Sequence, residues 1–358
     1  MRFIYKTNYD QDMALAKHGG QVVWYAALGA ILLAAPWLFD EYWLSQLSFV
    51  MVYAIIGLGL MLLAGFTGLF SLGQAAFMGI GAYCEAVLTA RGWPFPLSLA
   101  AAVTLTAMVG AVIGLPALRV KGIYLGVATL AFGFIVEEAI ARWEPVTGGN
   151  AGISVGAPLL GDWRLSSSVS FYFLCLGLTT LSTLFILNLL RSPIGRAFVA
   201  IRDSEISAQS MGINLARFKT LSFCISAGLT GLGGALYAHK LQFISPDQFS
   251  IGQSLDLLLL VVIGGLGSVH GAFFGAIFLI TMPQVISLAK DLLPPAIGQA
   301  NGLQGLAYGV VLIAFVLFEP MGIHGRWVKI RTFFQLIPFY RKGMFSRQKS
   351  FQKSDRLK

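Results

Sequence analysis

Residues 191–219 read Arg191-Ser-Pro-Ile-Gly-Arg-Ala-Phe-Val-Ala-Ile-Arg-Asp-Ser-Glu-Ile-Ser-Ala-Gln-Ser-Met-Gly-Ile-Asn-Leu-Ala-Arg-Phe-Lys219, a polar stretch between two long apolar runs. The apolar runs cover residues 169–190 and 220–238, and each has about the length of a helix that crosses a bilayer. No other stretch between the first and last apolar runs is as long and as easily solvated by water. We therefore predict a surface loop that joins two transmembrane helices.

Helix-breaking and helix-starting residues divide this loop. Pro193 and Gly195 are expected to end the preceding helix, because both residue types disfavour a helix interior. Asp203, Ser204 and Glu205 favour a new helix start, since short acceptor side chains cap free backbone amides and acids suit the positive end of the helix dipole. Gly212 is typical of a helix end. The sequence therefore predicts a short helix on the surface of the protein.

Two interpretations of this loop stay open. Its basic residues are Arg191, Arg196, Arg202, Arg217 and Lys219. In the first interpretation the loop is an ordinary solvated segment, because runs of charge usually are. In the second, its short helix docks a soluble partner. The spacing of the residues does not distinguish between the two.

The composition places the chain among membrane proteins. Of its 358 residues 56 % are hydrophobic and 11 % are charged, whereas about 25 % are charged in a soluble domain. Apolar runs of about 20 residues recur along the chain, so the predicted fold class is an all-α polytopic membrane protein. The net charge of +9 lies mainly in loops and in the C-terminal tail. That distribution favours a membrane topology, and no nucleic-acid partner is expected.

About ten transmembrane helices are predicted. The candidate spans are residues 22–39, 45–65, 71–90, 97–116, 122–141, 169–190, 220–238, 254–266, 269–288 and 303–318. An even number puts both termini on one side of the membrane, and most Lys and Arg residues then lie in cytoplasmic loops. Eight or nine spans stay possible, because the run at 254–266 is short and the turn at 65–72 is ambiguous.

This topology predicts three regions. Residues 1–21 would be a cytoplasmic N-terminal segment, residues 22–320 the transmembrane domain with the cytoplasmic loop 191–219, and residues 321–358 a basic cytoplasmic tail. Membrane lipid is an expected partner throughout, and the basic tail is expected to contact anionic lipid headgroups.

No motif for catalysis or metal binding is visible in the sequence. The chain lacks a GxxxxGK[ST] phosphate loop, an HExxH zinc motif and a GxSxG nucleophile motif. Its four histidines and three cysteines are scattered, without the spacing of metal ligands. We therefore expect no catalytic residue, no metal and no cofactor.

Four carboxylates lie within predicted spans: Glu85, Glu137, Glu138 and Asp256. A carboxylate in hydrocarbon costs roughly 2.5–3.5 kcal/mol on insertion scales, so each is expected near the outer end of its span, within reach of water. No deep pair of an acid with an arginine or a histidine is predicted, which argues against a proton-driven carrier. Energy for transport would then come from a separate ATPase that docks on residues 196–213.

Several segments jointly resemble branched-chain amino acid ABC-transporter permeases of the LivM type. The resemblance extends over residues 50–320, and the segments occur in the family's order. They are Tyr124-Leu-Gly-Val-Ala-Thr-Leu-Ala-Phe-Gly133, Thr147-Gly-Gly-Asn-Ala-Gly-Ile153, Gly195-Arg-Ala-Phe-Val-Ala-Ile-Arg-Asp-Ser-Glu-Ile-Ser-Ala-Gln-Ser-Met-Gly-Ile-Asn214, Phe243-Ile-Ser-Pro-Asp247 and Gly264-Gly-Leu-Gly-Ser268.

The resemblance implies a non-catalytic subunit of an importer in the bacterial inner membrane. With a second permease subunit of the LivH type, it would form the pathway for branched-chain amino acids or a related small amino acid or amide. Two cytoplasmic ATPase subunits would hydrolyse ATP, and a periplasmic binding protein would deliver the substrate. The residues that match the family's ATPase-coupling loop are Gly195, Arg196, Ala200, Arg202, Glu205 and Gly212.

The resemblance also indicates a substrate pathway or outer mouth, with a flexible outer turn as the alternative. The residues assigned to it are Thr147, Gly148, Gly149, Asn150, Glu137 and Glu138. Phe134 departs from the pattern, because many family members carry a glutamate there. Relatives that move urea, other amides or small aromatic acids therefore stay possible as models for the substrate. A secondary transporter that works alone is the other alternative.

Overall fold

The computed structural model describes residues 19–116, 120, 122–160, 163–164, 167–292, 303–319 and 321–336. Most of the predicted N-terminal segment, residues 1–18, and the end of the predicted basic tail, residues 337–358, lie outside the described residues.

The described chain is almost wholly helical. In chain order the helices are α1 (Gly19–Leu38), α2 (Glu41–Leu60), α3 (Gln74–Ala90), α4 (Phe95–Gly114), α5 (Ile123–Arg142), α6 (Glu144–Thr147), α7 (Ser168–Arg191), α8 (Pro193–Asp203), α9 (Glu205–Ser210), α10 (Leu215–Leu241), α11 (Ile251–Gly264), α12 (Val269–Leu292), α13 (Leu303–Phe318) and α14 (Gly322–Leu336). A π-helical turn, Met61–Phe66, continues α2, and 3-10 turns occupy Gly149–Ala151 and Pro246–Phe249. The strands are β1 (Ile153–Ser154), β2 (Leu159–Leu160), β3 (Trp163–Arg164) and β4 (Phe243–Ile244).

Seven of the described helical segments are long and apolar enough to cross a membrane. They are Glu41–Phe66, Phe95–Gly114, Ile123–Arg142, Ser168–Arg191, Leu215–Leu241, Pro246–Gly264 and Val269–Ser287. Helix α1 adds a shorter apolar stretch, Val22–Leu38. These helices confirm the prediction of an all-α polytopic membrane protein.

Helix α10 lies at the centre of the bundle and packs against α2, α3 and α4. Small residues permit these contacts. A Cβ added to Gly81 of α3 would lie 2.3 Å from the carbonyl oxygen of Gly231 in α10. A Cβ added to Gly110 of α4 would lie 2.3 Å from the Cβ of Ala227. Close approach of backbones is how helices gain attraction in lipid, where the hydrophobic effect no longer drives them together.

Helix α3 begins in the interior of the bundle, not at its surface. The side-chain amide of Gln74 donates to Ser226 Oγ at 2.9 Å, and Ser226 lies near the middle of α10. The backbone N–H of Ala75 donates to Ser254 Oγ at 3.1 Å, and that of Leu72 donates to Thr129 Oγ1 at 2.9 Å. Hydroxyl groups thus satisfy the irregular backbone before α3, which is the condition for non-helical chain at membrane depth.

The short strands close one end of the bundle. Strand β1 pairs antiparallel with β4, with Ile153 opposite Ile244, and β2 pairs with β3. This pairing joins the segment that follows α5 to the end of α10. The start of α10 lies at the opposite end, next to α8 and α9. The two loops singled out in the sequence therefore lie at opposite ends of the bundle.

Helices α1 and α14 meet at the same end as α8 and α9. The Tyr25 hydroxyl of α1 lies 2.9 Å from His270 Nε2, and the rings of His270 and His324 stack with centroids 5.8 Å apart. His270 follows the α11–α12 loop, where Gly267 adjoins the Arg202 guanidinium of α8. One end of the bundle thus gathers the N-terminal helix, the C-terminal helix and the polar loop.

Candidate functional site

The segment from residue 192 to residue 214, called here the two-helix loop, contains α8 and α9. Ser192 and Ser204 cap these helices, and each side chain accepts the backbone N–H three residues further on. Gly212 ends the second helix with φ +85°, a conformation that favours glycine. The predicted helix start and end are confirmed. Pro193, predicted only as a helix breaker, is also the first residue of α8, a position proline favours.

One face of the two-helix loop is buried, which corrects the expectation that water solvates it fully. Phe198 and Ile201 lie against the bundle and are at most 2 % exposed. Lys219 Nζ lies 2.6 Å from Glu205 Oε1, and these side chains are only 2 % and 20 % exposed. The ion pair fastens α9 to the start of α10. The loop is therefore held in one position against the membrane helices.

The opposite face of the two-helix loop exposes apolar side chains. Ile206 is 78 % exposed and Met211 is 86 % exposed. Among the large apolar side chains of the two-helix loop, Ile206 and Met211 are the exposed ones. The sequence offered a signal for these residues, because both are apolar within a polar stretch, yet neither was among the predicted site residues.

The six residues predicted for coupling take different positions. Arg196, Ala200 and Gly212 are partly or fully exposed on the two-helix loop. Gly195 is buried, and a Cβ added there would lie 2.4 Å from Leu190 Cα. Glu205 pairs with buried Lys219. Arg202 also turns towards its own chain, and its Nη1 donates to the carbonyl oxygen of Gly65 at 3.2 Å.

At the other end of the bundle, polar side chains surround a depression of about 560 Å³. This acidic depression is lined by Glu137, Glu138, Ala141, Arg142, Glu144, Asn150, Pro246 and Asp247. Glu138 forms an exposed ion pair with Arg142. The structure thus brings together three of the residues predicted for an outer mouth, Glu137, Glu138 and Asn150, and adds Asp247 from a distant part of the chain.

The other residues predicted for the mouth build the turn that carries Asn150. Thr147 is buried, and its Oγ1 lies 2.6 Å from the Ile140 carbonyl oxygen. The backbone N–H of Gly149 donates to the same Oγ1 at 3.2 Å. Gly148 and Gly149 have φ +68° and +59°, which glycine adopts without strain. Thr147, Gly148 and Gly149 therefore shape the depression and do not line it.

Glu85 contradicts the prediction that it lies within reach of water. Its Oε1 lies 2.9 Å from His239 Nε2 and 2.7 Å from Ser98 Oγ. His239 Nδ1 lies 2.9 Å from the carbonyl oxygen of Gly156, and the Glu85 and His239 side chains are fully buried. The prediction that no acid pairs with a histidine deep in the protein is therefore also wrong, because the packing of α3 on α10 joins residues far apart in sequence.

Asp256 also lies elsewhere than predicted. The expected span began at residue 254, which would put Asp256 near its end. In the structure α11 starts at Ile251, and the preceding 3-10 turn extends the candidate span to Pro246–Gly264. Asp256 is thus in the middle of the helical segment and half-buried.

Among the described residues, no three His, Cys, Asp or Glu side chains are grouped as metal ligands would be.

Comparison with known proteins identifies the family. The family described as branched-chain amino acid transport system / permease component matches residues 42–317. The chain belongs to this family. It is similar to the high-affinity branched-chain amino acid transport system permease protein LivM of Escherichia coli (strain K12), with 32 % identity over 85 % of this chain and 75 % of the relative.

More distant relatives of this permease show the breadth of the family. A probable branched-chain amino acid transport permease protein LivM of Methanocaldococcus jannaschii is 25 % identical over 60 % of this chain and 64 % of its own. The autoinducer 2 import system permease protein LsrC of Enterobacter sp. (strain 638) is 30 % identical over 60 % of this chain and 62 % of its own. No solved structure matches the chain.

The family match confirms the resemblance read from the sequence. The matched residues include α2 to α12 and nearly all of α13, and with them both the two-helix loop and the acidic depression. The permease is therefore a multi-pass protein of the bacterial inner membrane. It is a component of a transport system of the branched-chain amino acid family.

Proposed function

We propose that the permease is one of two permease subunits of an ABC importer, and that its two-helix loop docks a cytoplasmic ATPase subunit. The exposure of Ile206 and Met211 carries this proposal. A helix that presents apolar side chains to solvent suits a groove on a partner. The opposite, buried face supports the same proposal, because the loop can move the membrane helices only if it is firmly attached to them.

The buried contacts of the two-helix loop provide this attachment. Phe198 packs into the core of the bundle, and Glu205 is tied to Lys219 at the start of α10. A displacement of Ile206 or Met211 by a bound partner would therefore be transmitted to α10, the central helix, because the loop is attached to it. The second interpretation of the sequence, a docking helix, accounts for this arrangement better than a solvated loop does.

The proposed importer has further subunits. A second permease subunit of the LivH type would complete the pathway, two ATPase subunits would hydrolyse ATP, and a periplasmic binding protein would deliver substrate. The names of the relatives support the assignment to a multi-component transport system. This chain itself would catalyse no reaction, and the proposed coupling residues are those of the two-helix loop.

For the topology we propose ten crossings, with both termini in the cytoplasm. Helices α1 and α14 reach the same end as the two-helix loop through Tyr25, His270 and His324, which supports placing both termini on the ATPase side. The proposed regions remain a cytoplasmic segment at residues 1–21, a transmembrane domain at 22–320 and a basic tail at 321–358.

The proposed substrate is a branched-chain amino acid, by analogy with the LivM relatives. A related small amino acid, an amide or another small polar solute is the second candidate. One observation favours it: the LsrC relative is named for a different solute, autoinducer 2.

The acidic depression is proposed to face the periplasm, where it would contact the binding protein or the entering substrate. Its position supports this, because it lies at the end of the bundle opposite the two-helix loop. Glu137, Glu138 and Asn150 are the residues assigned to this contact. Filling the depression with Asn150→Trp is expected to slow uptake, and unchanged uptake kinetics would favour an ordinary surface turn.

Replacing the exposed apolar pair tests the docking. Ile206→Arg and Met211→Arg together are expected to abolish copurification of the ATPase subunits and uptake in vesicles, while leaving the amount of folded permease unchanged. Trp93→Arg is the matched control, because Trp93 is also an exposed apolar residue but follows α3 at the opposite end of the bundle. Normal copurification with the double variant would overturn the docking proposal.

A further inference from the structure

Three parts of the chain meet at the side chain of Arg202. They are the π-helical turn that ends α2, the extended segment that follows it, and the α11–α12 loop. The contacts in these parts are Gly65, Gly68 and Gly267. We call these three glycines with Arg202 the Arg202 junction.

The junction is tightly packed. Arg202 Nη1 donates to the Gly65 carbonyl oxygen at 3.2 Å. A Cβ added to Gly68 would lie 3.0 Å from Arg202 Cγ, and one added to Gly65 would lie 2.5 Å from the backbone nitrogen of Gly267. Side chains at these positions would therefore push the three segments apart. The glycines let the guanidinium group reach two membrane elements at once.

The Arg202 side chain is held from both sides. Its Nε and Nη2 donate to Asp203 Oδ1 at 3.1 Å and 3.0 Å, while Nη1 points to Gly65. A planar fork with several fixed donors can make these bonds simultaneously, whereas the ammonium of a lysine is a single point. These contacts therefore require the planar, multi-donor guanidinium group of an arginine.

The α11–α12 loop also contacts α14. A Cβ added to Gly265 would lie 2.9 Å from His324 Cβ in α14, and one added to Gly322 would lie 2.5 Å from the Ile263 carbonyl oxygen. The loop is therefore packed between Arg202 on one side and the first turn of α14 on the other. A shift of Arg202 would therefore change its contact with this loop.

We propose that Arg202 is a positioning residue that transmits movement of the two-helix loop to the end of α2 and to the α11–α12 loop. The inference rests on the proposed ATPase docking. It differs from the link through Glu205 and Lys219, which leads to α10. The Arg202 side chain is 37 % exposed, and the role proposed for it is transmission within the permease, whereas Ile206 and Met211 carry the proposed docking.

The π-helical turn is a suitable receiver. Met61–Phe66 has the wider backbone of a π-helix, and such turns are often found at functional positions in α-helices. It lies between the long apolar part of α2 and the extended chain before α3, so a small displacement there changes the relation between two membrane helices. Its carbonyl at Gly65 is the atom that Arg202 binds.

The test compares Arg202→Lys with Arg217→Lys in the complete transporter, reconstituted with both permeases, the ATPases and the binding protein. Arg217 is an exposed arginine at the start of α10, which makes it a matched control. With Arg202→Lys we expect the ATPases still to copurify, because Ile206 and Met211, the exposed residues proposed to dock them, are unchanged. The stimulation of hydrolysis by leucine-loaded binding protein should fall about fivefold or more, the size of a typical coupling between sites. Arg217→Lys should keep the full stimulation.

Two outcomes would overturn the inference. Unchanged stimulation with Arg202→Lys would show that the fork is not needed. Loss of ATPase copurification with Arg202→Lys would place the residue in docking and not in transmission. Docking itself is tested by the Ile206 and Met211 variants, so a failure of the proposed function is distinguishable from a failure of this inference.

Hydrogen exchange on the wild-type complex tests the same inference without any substitution. On addition of a nonhydrolysable ATP analogue, amide exchange in residues 61–68 and 264–268 should change together with exchange in residues 204–213. A change confined to residues 204–213 would contradict the transmission through Arg202.

Discussion

Glu85 and His239 form a buried hydrogen bond of 2.9 Å between residues that are 154 positions apart in the sequence. Both side chains are completely enclosed. The carbonyl oxygen of Gly156 lies 2.9 Å from His239 Nδ1, and since a carbonyl only accepts hydrogen bonds, this nitrogen carries a proton. Nε2 and Glu85 Oε1 therefore need one further proton between them. The pair joins α3 to α10 and to the segment that precedes β2.

Removing one member of this pair should destabilise the permease. For Glu85→Ala we expect a loss of about 1–3 kcal/mol, because the partner histidine would remain buried without its hydrogen bond. Thermal unfolding of the purified protein, followed by size-exclusion chromatography, measures the effect. Glu138→Ala is the control, since its ion pair with Arg142 is exposed and worth at most about 1 kcal/mol. Equal melting temperatures for the two variants would contradict the structural role of Glu85.

The ion pair between Glu205 and Lys219 should fix the two-helix loop in place. Lys219→Met removes the cation that lies 2.6 Å from Glu205 Oε1, so α9 is expected to loosen. Limited proteolysis between residues 203 and 214 should become at least about tenfold faster, which corresponds to about 1.4 kcal/mol of lost local stability. The charge-reversed double variant Glu205→Lys with Lys219→Glu should recover part of the protection, and no recovery would argue against a direct pair.

Glycine substitutions should separate packing from helix propensity. Gly81→Ala places a methyl group 2.3 Å from the Gly231 carbonyl oxygen, so α3 and α10 must move apart, at a cost of roughly 1–3 kcal/mol. Gly177→Ala in α7 meets no atom within 4 Å and should stabilise the helix by about 0.5–1 kcal/mol. The melting temperatures of the two variants should therefore shift in opposite directions. A shift of both in the same direction would show that α3 and α10 are less closely packed than described.

The attachment of α14 should weaken in acid. A hydrogen bond from Lys329, at 2.5 Å, and the nearby Arg326 lower the pKa of Glu319 below its usual value. Because the folded-state pKa is depressed, the stabilisation is present above the usual glutamate pKa of about 4.3 and is lost as the pH falls through the folded-state value. Hydrogen exchange in residues 322–336 should rise over that window.

A second rise in hydrogen exchange, caused by a histidine, should appear at higher pH in the same experiment. Burial lowers the pKa of His324, so its stabilising effect starts to decline as the pH falls through the usual histidine value of about 6.5. Glu319→Gln should therefore remove only the more acidic step of the profile. A profile unchanged by this substitution would show that Glu319 does not hold α14.

How far the sequence leads depends on the kind of interaction. The turn residues are local: Ser204 caps α9 through a neighbouring amide, and Gly212 ends it with a positive φ. Such features depend on a few adjacent residues, so their positions could be predicted. The apolar runs are also local, because the length needed to cross lipid is a property of one segment.

Contacts between distant segments could not be predicted in this way. The sequence by itself determined the fold class, the family and the start and end of α9, whereas it did not reveal that Pro193–Asp203 is also a helix. Only the tertiary structure decided that Arg202 binds the Gly65 carbonyl and that Glu205 pairs with Lys219. It also decided that Ile206 and Met211 face outward and that Glu85 meets His239 and not water. The physical reason is that burial and pairing depend on which helices pack side by side. Helix packing joins residues that are far apart in the sequence, and nothing in the local sequence of either residue indicates its partner.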